Sequence, residues 1–298
     1  MSLRLLLPPE GVADLLATWP DNPRVYERGR TEVDEAMSLA RFNELIDTGC
    51  APPDEVAVIK AGPSNRTAFL TAGRTDAAKL RRLADRGHTI RFGNMQRWIP
   101  FFHRLSLGIQ RETGYSNYMH AFLTPGGEQG LLHHWDQQMA VIVQVAGTKT
   151  WHLWAPPVSA PMREYNESFR VWREDFIPQW EATGPDLTVE LKAGQTLLLP
   201  RGWVHNPHAL HHAEPSLHLT FAVRERTPLW LAEQLVAQAI EQPEFRRVIV
   251  PPDLEQPELA DRLDETRRAL VAFLGELDMG EMAGMVRRAA VTELEYTT

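Results

Sequence analysis

Apolar positions along the chain change their spacing near residue 115. Before that point helix and strand signals alternate. Pro9 to Thr18 places leucines and alanines at helical spacing and stops at Trp19-Pro20. Asp34 to Asp47 repeats the pattern with Met37, Leu39, Phe42, Leu45 and Ile46 and stops at Thr48-Gly49. Asp76 to Asp85 and Ile99 to Glu112 predict two more helices, while Arg24 to Tyr26, Glu55 to Ile59 and Thr89 to Phe92 predict short strands. Residues 1–113 are therefore expected to form a mixed α/β flank packed on a core. They carry neither a Gly-rich phosphate loop nor a cluster of ligands, so no separate cofactor domain is expected there.

From Asn117 onward the pattern is that of short strands: Asn117 to Leu123, Gln138 to Val145, Thr150 to Trp154, Leu187 to Leu191, Thr196 to Leu199, Trp203 to His205 and Ser216 to Arg224. The turns are explicit at Gly126-Gly127, Ala146-Gly147-Thr148 and Ala193-Gly194. Many short strands with glycine turns predict a mainly β sandwich or barrel over residues 114–226, and small barrels hold ligands at their mouths. Residues 156–185 break the rhythm with a long stretch rich in aromatic and charged side chains, including Tyr165, Trp172 and Trp180. Such an insertion lies over the barrel mouth or covers a sheet edge.

After Thr227-Pro228 the chain becomes helical, residues 227–298. Leu231 to Ile240 is the first piece, Pro257 to Leu274 carries Leu259, Leu263, Leu270, Phe273 and Leu274 on one stripe, and Gly280 to Leu294 is the third. An amphipathic helix must bury a face, on the barrel or on a second subunit, and a homodimer is the expectation.

Composition narrows the function. With 43% hydrophobic and 23% charged residues in 298, and no apolar run of membrane-spanning length, a globular cytoplasmic protein without membrane contact is expected. A net charge of -8 argues against direct nucleic-acid binding. The single cysteine, Cys50, excludes an internal disulfide or a thiolate metal site and is expected to be a small buried hydrophobe. Nine of the eleven histidines fall between His120 and His218, which directs attention to the strand-rich region.

There, Leu131-Leu132-His133-His134-Trp135-Asp136 puts His134 and Asp136 two residues apart, so on an extended strand both project to one face. A second imidazole would complete the two-His, one-carboxylate face that holds Fe(II) with open positions. The best candidate is His205, delivered by the hairpin arm Gly194 to His205. His133 and Trp135 point to the opposite face. His218 alternates with Ser216 and Thr220 and either lines the site or is a satisfied core residue. His208, His211 and His212 lie on a turn-like segment expected to be solvent-exposed. Arg163, Arg170, Arg173 and Arg201 are most simply solvated surface; as a clamp they would suit an acidic partner, whereas Glu164, Glu167, Glu174 and Asp175 would suit a basic peptide, so charge near the site decides nothing.

His134-Trp135-Asp136 with Gly147 after it, and Gly194-x5-Pro200-x-Gly202-x2-His205, resemble the two metal-site motifs of the cupin superfamily. Together with Leu123-Thr124-Pro125, Gln144 to Trp151, Pro200 to His205 and Ser216 to Thr220, they resemble more narrowly the JmjC-type, Fe(II)- and 2-oxoglutarate-dependent oxygenases. Within that group they resemble the bacterial ribosomal oxygenases that hydroxylate histidine or arginine in ribosomal proteins. The resemblance implies a double-stranded β-helix (jelly-roll) core, with His134, Asp136 and His205 as iron ligands. It implies that Lys149, fifteen positions after His134, binds the far carboxylate of 2-oxoglutarate, helped by Thr220. It places His120 where that group usually has an asparagine near the cosubstrate. The reaction implied is hydroxylation of an unactivated C–H on a protein or peptide side chain, with O2 consumed and succinate and CO2 released. Two alternatives stay open: hydroxylation of a small amino acid or natural-product intermediate, and a non-catalytic cupin binding module. Lys149 argues against the last, since a binding module has no evident need for that cation.

Overall fold

The computed structural model describes residues 2–162 and 176–292. Thirteen strands are present among them: β1 (Arg24–Glu27), β2 (Val56–Ile59), β3 (Leu70–Thr71), β4 (Arg74–Thr75), β5 (Thr89–Phe92), β6 (Asn117–Thr124), β7 (His134–Trp135), β8 (Met139–Ala146), β9 (Thr148–Trp154), β10 (Leu187–Lys192), β11 (Gln195–Leu199), β12 (Val204–His205) and β13 (Ser216–Val223). A seven-stranded sheet has the order β1-β11-β8-β13-β6-β5-β2, and a four-stranded sheet the order β10-β9-β12-β7. Every pairing is antiparallel. This is the expected double-stranded β-helix, and three strands of the N-terminal flank, β1, β5 and β2, are hydrogen-bonded into its larger sheet.

Two sequence patterns build the sheets. β8 reads Met-Ala-Val-Ile-Val-Gln-Val-Ala and is buried on both faces as far as Val145, because it lies between β11 and β13. β6 alternates instead: Met119, Ala121 and Leu123 enter the core, while Tyr118, His120 and Phe122 face an internal cavity. Ile142, Trp151, Leu153, Leu191, Leu197 and Trp203 form a core between the sheets; at about 1.5–3 kcal/mol for each fully buried large apolar side chain, this cluster holds the two layers together. Gly147 (φ +66°) turns β8 into β9, and Gly194 (φ +90°) turns β10 into β11, as the turn signals predict.

The helices are α1 (Pro9–Thr18), α2 (Glu32–Ala36), α3 (Leu39–Thr48), α4 (Ala77–Asp85), α5 (Pro100–Thr113), α6 (Phe176–Thr183), α7 (Pro228–Ala237), α8 (Glu258–Glu276) and α9 (Met279–Thr292). The single helix expected over Asp34 to Asp47 is two. Thr31 and Asp34 form a reciprocal cap that starts α2, and the Ser38 hydroxyl accepts the Arg41 amide to start α3, so capping chemistry overrides the continuous apolar stripe. Cys50 is exposed rather than buried: Gly49, in the left-handed conformation, ends α3 and turns the chain outward. Most of the 156–185 insertion's charged and aromatic residues, 163–175, lie outside the described residues, as does the end of the third C-terminal helix beyond 292.

The chain divides into two compact units, Met1–Thr113 with Asn117–Arg224, and Gly114–Ser116 with Glu225–Thr298. In the second, Thr227 caps α7 through its hydroxyl, and Arg226 lies 4.6 Å over the Trp230 ring. No helix among the described residues is long and apolar enough to cross a membrane.

Candidate active site

Antiparallel pairing of β7 with β12 sets His134 directly opposite His205. Asp136 follows just beyond the end of β7, on the face that His134 uses. One donor atom from each of the three lies within 4.8 Å of the others, and the two imidazole centroids are 4.1 Å apart. The sequence singled out these three residues, and the fold brings them together.

Backbone carbonyls fix how the imidazoles present themselves. His134 Nδ1 lies 2.7 Å from the Leu132 carbonyl oxygen and His205 Nδ1 lies 2.9 Å from that of Trp203. A carbonyl only accepts, so each Nδ1 carries a proton and Nε2 is the ring nitrogen left to face the other donors. Burial, reinforced by His134, holds His205 well below the ordinary imidazole range, so it stays neutral. His205 Nε2 lies 3.8 Å from Asp136 Oδ2. Asp136 opens onto the cavity, while the protein around it pushes its carboxyl above the usual range against the pull of His134. Two imidazole nitrogens and a carboxylate, with no Arg or Lys paired to it among the described residues, are a donor set that fits a divalent ion and suits iron. The carbonyl partners are the orienting contacts such a site uses.

The triad faces a cavity of about 180 Å3 lined by both sheets. Lys149, on β9, is only 2% exposed. Its Nζ donates to Thr124 Oγ1 at 2.8 Å and lies 3.5 Å from His218 Nδ1; the Thr89 hydroxyl donates to the same Thr124 oxygen at 3.0 Å. No carboxylate pairs with it among the described residues, and burial pushes the amine down to about 7. An ammonium buried without a counter-ion is costly, and a carboxylate arriving in the cavity would remove that cost. Thr220 lines the same cavity beside His120, its partner across β13 and β6. His120 Nδ1 accepts the Asn94 amide at 3.2 Å, and burial drives it down to about 3, so it is a neutral lining group.

Other residues divide as follows. His218, 3% exposed, lines the cavity and stacks on Phe122 with centroids 4.9 Å apart, so it belongs both to the core and to the site. His133 points away, its Nε2 3.3 Å from the Asn206 amide and its ring 4.9 Å from Trp154. His208 is 4% exposed, not solvated: its backbone exchanges two 2.9 Å hydrogen bonds with Thr150, which pulls the segment onto β9. The sequence reading overlooked Thr89, Arg91 and Tyr118 as cavity-lining residues, and Thr124 as the oxygen that holds Lys149. Their period-2 alternation on predicted strands was the available signal.

Two sheets closed on each other, with a two-histidine, one-carboxylate face at the mouth, define a double-stranded β-helix protein of the cupin class. Within it, residues 92–229 match the JmjC domain family. The bifunctional lysine-specific demethylase and histidyl-hydroxylase NO66 of Aedes aegypti is 26% identical over 223 residues, 73% of this chain and 34% of that protein. Ribosomal oxygenase 1 of Gallus gallus is 32% identical over 211 residues, 70% of this chain and 34% of that protein. The chain thus spans about a third of the length of these curated relatives. Among solved structures, the X-ray structure of E. coli ycfD superposes with a TM-score of 0.57 at 14% identity, covering 97% of this chain and 74% of that one. E. coli YcfD, a ribosomal oxygenase in complex with cobalt and succinic acid, superposes with a TM-score of 0.56 at 14% identity, covering 97% and 73%. At such identity these likenesses establish the fold.

Proposed function

We propose that this chain is an Fe(II)- and 2-oxoglutarate-dependent oxygenase that hydroxylates a C–H bond on a protein or peptide side chain and works in the cytoplasm as a homodimer. The observation that carries the reading is the convergence of His134, Asp136 and His205 on a cavity that also holds the buried, carboxylate-free Lys149. The relatives named ribosomal oxygenase and histidyl-hydroxylase support a protein substrate. The structure of YcfD in complex with cobalt and succinic acid supports a dicarboxylate in this fold.

In this reading His134, Asp136 and His205 hold the iron and Lys149 holds the far carboxylate of 2-oxoglutarate, with Thr220 and His120 beside it. Bound there, iron and 2-oxoglutarate supply the oxidising power for oxygen insertion, with O2 consumed and succinate and CO2 released. The chain's own contribution is positioning. Leu132 and Trp203 carbonyls keep both Nε2 lone pairs aimed at one point. Thr124 holds Lys149 Nζ in place before any anion arrives, which lowers the ordering cost of binding. Trp151 and Phe122 line the cavity with apolar rings that leave little room for water near the target carbon.

The test is an anaerobic titration with Fe(II) and then 2-oxoglutarate, followed in the visible. A metal-to-ligand charge-transfer band is expected in the wild type and absent in His134→Ala; no band in either protein overturns the reading. Incubating the enzyme with cell extract then addresses the substrate. A one-oxygen mass increment on a ribosomal protein is expected, and increments on small metabolites alone would replace the protein substrate with a small molecule.

A further inference from the structure

Iron ligands and a cosubstrate anchor account for one cation in the cavity, Lys149, but the cavity has a second. Arg91 lies on β5, two residues from Thr89 and opposite Phe122 of β6, and its side chain lines the same space as the triad. The two cations serve different neighbourhoods. Lys149, on β9, lies 3.5 Å from His218 Nδ1, whereas Arg91 is on β5, opposite Phe122.

Unlike Lys149, Arg91 has nothing to hold. Among the described residues its side chain makes no hydrogen bond or ion pair, and its Nε is sealed from solvent without an acceptor. Burial pushes the guanidinium down to about 10, and the nearby Arg66 pushes the same way. Glu55 is the one carboxylate that acts on it favourably, yet Glu55 Oε2 is already taken by the Asn94 amide at 3.0 Å and no contact with Arg91 forms. Tyr118, which also faces the cavity, gives its hydroxyl to Gln138 Oε1 at 3.0 Å and leaves Arg91 unsatisfied. A guanidinium carries five donors in a rigid fork, and here the Nε donor is buried without an acceptor, which is costly. That fork matches a carboxylate in two parallel hydrogen bonds.

We propose that Arg91 receives a carboxylate of the primary substrate, at a position separate from the Lys149 anchor, so that the group entering the cavity is anionic. The proposal rests on the oxygenase reading above and specifies its substrate. An acidic side chain, or a terminal carboxylate, is held beside the iron site; an arginine side chain is turned away by Arg91 together with Arg66.

The test uses full-length Fe(II) protein under anaerobic conditions, saturated with 2-oxoglutarate, and calorimetric titration with four probes. N-acetyl-aspartate N-methylamide offers a side-chain carboxylate and N-acetylglycine a terminal one. The asparagine and arginine N-methylamides are the neutral and cationic counterparts. At least one carboxylate probe binds the wild type about tenfold or more tighter than the asparagine and arginine probes, and which one it is separates the two sources. Arg91→Gln removes that preference, Arg91→Lys restores part of it, and 2-oxoglutarate affinity stays within about twofold in both. Should Arg91→Gln fail to fold, as read by circular dichroism, the preference of the wild type among the four probes decides alone. Equal binding of the aspartate and asparagine probes, with no preference for N-acetylglycine, overturns the proposal. So does a matching loss of 2-oxoglutarate affinity in Arg91→Gln, which would assign Arg91 to the cosubstrate. A wild type that binds no 2-oxoglutarate overturns instead the oxygenase reading on which the proposal stands.

Discussion

Lys149, buried without a carboxylate partner among the described residues, shows at the scale of one residue how a proposed anchor is set against stability. Its folded-state amine titrates near 7 against an ordinary 10.5, so between those values the unfolded chain holds a proton that the folded chain has lost. Stability contributed by this site therefore rises as pH climbs from about 7 to about 10.5, and is lost as pH falls back through that window. Lys149→Met, which keeps the bulk and deletes the charge, is expected to stabilise the cofactor-free protein at pH 7 by about 1–4 kcal/mol. It should also flatten that pH dependence relative to wild type and remove 2-oxoglutarate binding while iron still binds. Urea denaturation at several pH values checks the first two, and calorimetry the third; an unchanged 2-oxoglutarate affinity would make Lys149 structural. The triad was legible from sequence because a spacing of two on a strand and a hairpin-borne histidine are both local patterns. Arg91 was only half legible, since alternation on a predicted strand sets its face without saying which strand that face lies beside.

At the scale of elements, the site depends on where β9 begins. Gly147 holds φ +66° at the β8–β9 turn, and a Cβ there would sit 2.3 Å from the Pro215 carbonyl oxygen, backbone that cannot move aside cheaply. Lys149 lies two residues on, its strand pairing with β10 through Leu191. Gly147→Ala is expected to cost about 1–3 kcal/mol through the clash and the left-handed φ. It should weaken 2-oxoglutarate binding as β9 shifts, and a denaturation midpoint equal to wild type would contradict this. The turn itself was readable, as Ala-Gly-Thr between two apolar runs. The flank strands were readable too, but their place in the larger sheet was not. β5 pairs with β6 across a helix and more than twenty residues, and alternation fixes which face a side chain takes without naming the neighbouring strand. That pairing brings Thr89 to Thr124 and Arg91 to the cavity, so the missing residues share one cause.

On the scale of the whole molecule, the helical unit leaves apolar side chains in water. On α8, Leu263 is 62% and Val271 67% exposed, more than a solvated helix face requires. Light scattering is expected to give twice the 33.8 kDa chain mass, and Val271→Asp to halve it; a wild-type mass of one chain would remove the dimer. Here the sequence stripe predicted a buried face without saying what buries it, because periodicity records a need for burial and not a partner. The β7–β12 pairing carries a further consequence, in time rather than space. His134 leaves the ribosome long before His205, and the two face each other only once β12 has found its place between β7 and β9. A nascent or refolding chain therefore has no complete ion site to offer until the barrel has closed, and loop closure over that sequence distance comes late. An ion held by these three residues would be a passenger boarding a finished vessel, adding to the stability of the closed fold by mass action rather than guiding the chain toward it.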